Sequence, residues 1–174
     1  MSEVTGLANL ELVLGGARSG KSRLAQRRAE EDGRALVYIA TATAGDDEMS
    51  QRIARHKQDR DAHWSLVEEP LLLAEAIQNQ DTPERCLLVD CLTLWLSNCL
   101  HAACWEAQRD ALFEVLPGLQ GRIIFVSNET GMGIVPMGEI SRRFVDESGF
   151  LHQQLAQLAQ RVTLVTASLP LELK

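Results

Sequence analysis

Residues Gly15-Gly16-Ala17-Arg18-Ser19-Gly20-Lys21-Ser22 satisfy the pattern G-x-x-x-x-G-K-[ST] at every fixed position. The pattern constrains the fold as much as the ligand. Leu10–Leu14 before it reads as a short apolar strand, and Lys21–Glu31 after it reads as a helix. A strand that turns through a glycine-rich loop into a helix aims backbone N–H groups and the positive helix end at one point, which suits a polyphosphate. Glycine at 15 and 20 allows backbone geometry and close approach that a Cβ obstructs. Lys21 supplies a point charge for β- and γ-phosphates, and the Ser22 hydroxyl is a hard oxygen of the kind Mg²⁺ takes. Arg18, at a free position, can add a phosphate contact. The segment implies a nucleoside triphosphate as ligand.

The rest of the chain alternates in the way such a loop requires. Leu36–Ala40, Cys86–Cys91, Arg122–Asn128 and Arg161–Ala167 are further apolar, strand-like runs. Most are continuous rather than alternating, the pattern of strands covered on both faces. Helices are predicted over Asp46–Arg60, Leu71–Gln78, Trp105–Leu116 and Met137–Gln160, the last broken near Gly149. This order predicts a mainly parallel sheet with right-handed crossovers, ligand at the carboxyl ends of its strands, and a short edge strand in Leu169–Lys174. With 174 residues, one domain over 1–174 is expected. A net charge of −7 argues against a nucleic-acid partner. Met1–Asn9 is not patterned as a signal peptide, and no apolar run approaches the ~20 residues of a membrane span. A cytoplasmic location is expected. Cys86, Cys91, Cys99 and Cys104 form no C-x-x-C pair and read as small packing residues.

A phosphate loop needs a carboxylate at the end of another strand to manage the metal. Leu87-Leu88-Val89-Asp90 offers one, although Asp also ends strands simply to cap a following helix. A second unusual segment runs from Asp46 to Arg60. If it is helical, Arg52, His56 and Arg60 share one face. A neutral imidazole between guanidinium groups can attack phosphorus while the arginines hold phosphate oxygens. Spacing alone favours the plainer reading, a solvated charged helix. His63, His101 and His152 have no such setting and read as structural or surface residues.

The segments at 15–22, Tyr-Ile-Ala-Thr-Ala at 38–42, Asp-Asp-Glu-Met at 46–49, Arg-Ile-Ala-Arg-His at 52–56, Val-Asp-Cys-Leu-Thr at 89–93 and Val-Ser-Asn-Glu-Thr-Gly-Met-Gly-Ile-Val-Pro at 126–136 together resemble one family. It is the bifunctional adenosylcobinamide kinase / adenosylcobinamide-phosphate guanylyltransferase family of cobalamin biosynthesis. The resemblance runs over nearly the whole chain, from about Leu12 to Leu173. It implies an α/β, three-layer phosphate-loop NTPase (RecA-like) fold with a mainly parallel sheet. It also implies two reactions. A nucleoside triphosphate, ATP or GTP, phosphorylates the aminopropanol hydroxyl of adenosylcobinamide. A histidine then takes GMP from GTP, with release of pyrophosphate, and passes it to adenosylcobinamide phosphate.

The resemblance places that histidine at His56, with Lys21 as the other catalytic residue. Nucleotide contacts fall on Gly15, Gly16, Ala17, Arg18, Ser19, Gly20, Lys21 and Ser22. They continue on Thr41, Ala42, Thr43, Lys57, Gln58, Asp59, Arg60, Glu68 and Asp90, with Mg²⁺ at Ser22 and Asp90. A homotrimer is expected on the same ground. The family's histidine segment commonly ends in Arg-Pro, whereas this chain reads Arg60-Asp61. The Gly131-Met132-Gly133 turn suits a close backbone approach or a plain tight turn. Without the resemblance, the loop also fits a simple small-molecule kinase or a nucleotide-dependent regulatory module.

Overall fold

Apolar runs without polar alternation need cover on both faces, and the chain supplies it. The structure, a computed structural model, describes residues 7–42 and 63–174. The elements begin with β1 (Leu7–Gly15), α1 (Lys21–Glu30), β2 (Ala35–Ala40) and β3 (Trp64–Glu68). Next come α2 (Leu73–Gln80), β4 (Arg85–Asp90), α3 (Leu92–His101), α4 (Trp105–Val115) and a 3-10 turn at Leu116–Gly118. The chain finishes with β5 (Arg122–Asn128), α5 (Glu139–Leu158), β6 (Ala159–Thr166) and β7 (Leu169–Glu172). The described strands form one sheet in the order β3-β2-β4-β5-β1-β6-β7. Every pairing is parallel except β6 with β7. This is the three-layer α/β arrangement of a RecA-like phosphate-loop NTPase.

Strand alternation divides the core in two. Val13, Tyr38, Ala40, Cys86, Leu88, Ile124 and Val126 pack with Leu24, Ala25 and Ala29 of α1. Leu12, Ile39, Leu87, Val89, Ile123 and Phe125 pack the opposite way, against α2 to α5. There Trp95 and Trp105 meet edge to face, 5.3 Å between centroids, and the Trp95 indole N–H donates to Leu71 O at 2.8 Å. At the amino ends of the strands, buried Glu11 pairs with Arg28 and, at 2.9 Å, with Arg122. Arg122 also reaches Asp32 at 2.8 Å, and Arg28 reaches Glu172 on the edge hairpin at 2.5 Å. These partners keep the Glu11 charge from being buried alone, which matters more than any net gain from the pairs.

Several elements differ from expectation. α5 is one helix of 20 residues, unbroken at Gly149. A mid-helix glycine costs about 1 kcal/mol, and burial of Leu151, His152 and Leu155 outweighs it. β6 starts at Ala159, directly where α5 ends, which moves both boundaries by two residues. β3 and α3 were not predicted as separate elements. β3 is an edge strand with three of its five residues exposed, so its sequence carries little apolar signal. The expected tail strand is present as β7. The predicted helix over Asp46–Arg60 lies outside the described residues.

Cys86, Cys91 and Cys99 are buried, and burial pushes the Cys86 thiol up to about 12 and the Cys91 thiol up to about 11. They pack rather than react, as expected. Truncating Trp95 to Ala removes a fully buried ring from the α-helical side of the core. It is expected to destabilise the fold by about 3–5 kcal/mol, read from the urea midpoint at unchanged slope.

Candidate active site

The loop between β1 and α1 is shaped by two close approaches. A Cβ on Gly15 would lie 2.4 Å from Ser19 Oγ and 2.6 Å from Val165 O, so position 15 has no room for a side chain. Gly20 caps α1 with φ +96°, a left-handed conformation that side chains resist, and faces Ser168 Oγ. Ser168, in the β6–β7 turn, donates its N–H to Ser19 O at 2.7 Å. The hairpin thereby props the loop from below the helix start.

Lys21 is the first residue of α1 and only 8% exposed. Its Nζ donates to Gly16 O at 3.1 Å. Burial lowers its pKa below the ordinary lysine value, while Asp90 and the Cys91 thiol pull it back up. A partly desolvated ammonium next to the loop amides gains most when an anion arrives. Ser19 Oγ is buried without a hydrogen-bond partner among the described residues, another group that an oxyanion would satisfy.

Asp90 ends β4 on the same carboxyl edge. Tyr38 O–H donates to its Oδ2 at 2.9 Å, and among the described residues no side chain bonds the other carboxylate oxygen. The peptide to Cys91 is cis. Thr41 Oγ1 donates to Cys91 O at 2.7 Å and accepts from Cys91 N at 3.0 Å, and Thr41 N–H donates to Asp90 O at 3.3 Å. Chain leaving the sheet after β2 is therefore tied to the Asp90 corner.

A third cluster lies behind β5. His152 Nε2 and Ser127 Oγ are 2.8 Å apart, Ser127 Oγ and Thr93 Oγ1 are 3.2 Å apart, and Asn128 N–H donates to Thr93 Oγ1 at 2.7 Å. His152, Ser127 and Thr93 are all buried. Burial lowers the His152 pKa, with the Glu129 charge opposing. The neutral ring is thus the resident form near neutrality.

The structure places Gly15–Ser22 and Asp90 at the same carboxyl edge, on either side of β5. Thr41 is buried with its hydroxyl committed to Cys91, and Ala42 follows it at the same edge. Glu68 ends β3, four strands from β1, which is about 19 Å across the sheet at ~4.8 Å per strand. It does not share the phosphate loop's immediate surroundings. Thr43, His56, Lys57, Gln58, Asp59 and Arg60 lie outside the described residues. Sequence reasoning passed over Tyr38, Thr93, Ser127 and His152. Only Ser127, a polar residue near the end of an otherwise apolar strand, carried a local signal; Tyr38 lies within β2, and Thr93 and His152 lie on helices and join the site only through the fold.

The residues that could hold Mg²⁺ are Ser22 and Asp90. Among the described residues no group of three or more His, Cys, Asp or Glu forms a metal cage. A hydroxyl and a carboxylate next to a phosphate site fit an ion that keeps waters and shares phosphate oxygens.

Fold and loop define a nucleotide-binding protein of the RecA-like phosphate-loop class. The profile of the cobinamide kinase / cobinamide phosphate guanyltransferase family matches residues 11–173, and the chain belongs to that family of enzymes. It is 58% identical over 167 residues to the bifunctional adenosylcobalamin biosynthesis protein CobP of Pseudomonas aeruginosa, covering 94% of this chain and 96% of that protein. Identity to the bifunctional adenosylcobalamin biosynthesis protein CobU of Escherichia coli is 36% over 179 residues, covering 94% and 98%. A solved protein from Pyrococcus horikoshii shares the fold at TM-score 0.55 and 9% identity, over 98% of this chain and 88% of that one. No helix among the described residues is long and apolar enough to cross a membrane.

The buried histidine makes stability pH-dependent in a defined direction. Its folded pKa lies below the unfolded value of about 6.5, so from ~6.5 downward the unfolded chain holds a proton that the folded chain lacks. Stability is expected to fall with pH in that window, by at most ~1.4 kcal/mol per unit from this residue. His152→Gln should lose that part of the slope, measured as urea unfolding between pH 7 and pH 5.

Proposed function

We propose that this chain, as one catalytic domain over 1–174, phosphorylates adenosylcobinamide and then guanylylates the product through a histidine. The observation that carries the reading is the shared carboxyl edge, where Lys21, Asp90 and Thr41 meet. The family membership supports the same pair of reactions.

In the first reaction, loop amides from Gly15 to Ser22 and the Lys21 ammonium hold the β- and γ-phosphates of ATP or GTP. Bound Mg²⁺ would neutralise phosphate charge between Ser22 and Asp90. The substrate's aminopropanol oxygen attacks the γ-phosphorus as the bond to the β-phosphate oxygen breaks, and its proton passes to solvent. Positioning and charge carry most of this step. In the second, the neutral His56 nitrogen attacks the α-phosphorus of GTP, and pyrophosphate leaves. A phosphate oxygen of adenosylcobinamide phosphate then attacks the same phosphorus, the P–N bond breaks and the imidazole is released. Thr43, Lys57, Gln58, Asp59, Arg60 and Glu68 serve the nucleotide in this reading, with Glu68 on the far side of the Asp90 corner from the loop. The assembly proposed is a cytoplasmic homotrimer. It would cover the exposed Met132, Ile134, Val135 and Met137.

α-Labelled GTP tests the covalent step. After alkaline denaturation, which spares a phosphoramidate, label should stay on the wild-type chain and be absent from His56→Ala, while kinase turnover persists. Label surviving in the variant would sink the assignment. Lys21→Ala should lower both transfer rates by roughly 10²–10³-fold. An unchanged guanylylation rate would instead put the two reactions at separate sites.

A further inference from the structure

Asn128 closes β5, the strand between β1 and β4. Its register partner is Gly15, and the next residue, Glu129, donates its N–H to Gly15 O at 3.0 Å. Alternation decides which way it faces. Ile124 and Val126 pack with Leu24 and Ala25 of α1, so Asn128 shares the α1 side. Asp90 follows Cys86 and Leu88 to that same side. Ser127 goes to the opposite face, where it meets His152 and Thr93. Loop, Lys21, Asp90 and the Asn128 amide thus gather on one side of one edge. Neighbouring strands lie ~4.8 Å apart, so the amide stands within a side chain's length of both the loop and the metal carboxylate.

The Asn128 backbone is pinned by Thr93 Oγ1, yet its side-chain amide, half-buried, makes no hydrogen bond among the described residues. An amide offers two donors and one acceptor, and among the described residues this one keeps them open to a ligand at the edge. A terminal phosphate held between the triphosphate loop and the carboxylate assigned to Mg²⁺ would lie within its reach.

We propose that Asn128 Nδ2 donates to the γ-phosphate of the bound triphosphate, and that the Thr93–Ser127–His152 cluster acts as its positioning group from the other face of the sheet. Asn128 then distinguishes triphosphate from diphosphate, and favours release after γ-phosphoryl transfer. The proposal rests on the phosphate-loop part of the function proposed above.

The test compares the affinities of GTP and GDP, with Mg²⁺, by calorimetry. A His56→Ala background prevents GMP capture. Asn128→Ala should weaken GTP binding roughly ten- to a hundredfold, the cost of one hydrogen bond to a charged group, and leave GDP within about twofold. Thr93→Val, which keeps shape but loses the hydroxyl, should move the GTP/GDP ratio the same way, whereas Thr93→Ser should keep it. An unchanged ratio in Asn128→Ala, or equal loss of both ligands, overturns the contact. An unchanged ratio in Thr93→Val overturns the positioning role. Failure of the wider functional reading would show separately, as an unmutated enzyme that discriminates GTP from GDP but phosphorylates no corrinoid.

Discussion

The Lys21 ammonium is buried at the start of a helix, where the positive helix end disfavours it. Only Gly16 O, Asp90 and the Cys91 thiol offset that cost within the described residues. The rest of the fold exists around this arrangement. Parallel pairing of β1 with β5, and of β5 with β4, brings the loop and Asp90 to one edge. Gly15 and Gly20 are required because Ser19, Val165 and Ser168 close in on the loop from the sheet and the edge hairpin. A site that holds a cation poorly by itself is one that a polyphosphate completes.

The polar groups behind the sheet have a different task. Thr93, Ser127 and His152 are buried together and satisfy one another, so they cost little as a set and much if one is removed. Their outlet is the N–H of Asn128, which connects α3 and α5 to the end of the strand beside the loop. Tyr38 does the equivalent for Asp90 from β2. Asp90 and Asn128 at the edge are thus each held by a neighbour packed in the core.

The phosphate loop was fully legible because its chemistry demands fixed residues at fixed spacing, and its strand and helix follow at once. Asp90 was legible because one carboxylate ends a run of three apolar residues. Buried parallel strands announced themselves by continuous apolar sequence. β3 did not, since Trp64-Ser65-Leu66-Val67-Glu68 is half exposed at an edge. Gly149 suggested a break that α5 does not make, because tertiary packing overrides helix propensity. His152 read as unremarkable for a deeper reason. Its partners, Ser127 and Thr93, are 25 and 59 positions away and meet it only through the fold. His56 shows the converse: spacing alone favoured a solvated face, and only the family resemblance singled it out.

The central claim is that one chain performs two successive transfers to one corrinoid. A chromatographic time course with adenosylcobinamide, GTP and Mg²⁺ tests it directly. The account predicts that adenosylcobinamide phosphate appears first and is then converted to adenosylcobinamide-GDP, with one pyrophosphate released per molecule of the second product. Consumption of GTP with no corrinoid product, or guanylylation of adenosylcobinamide before its phosphate appears, would contradict it.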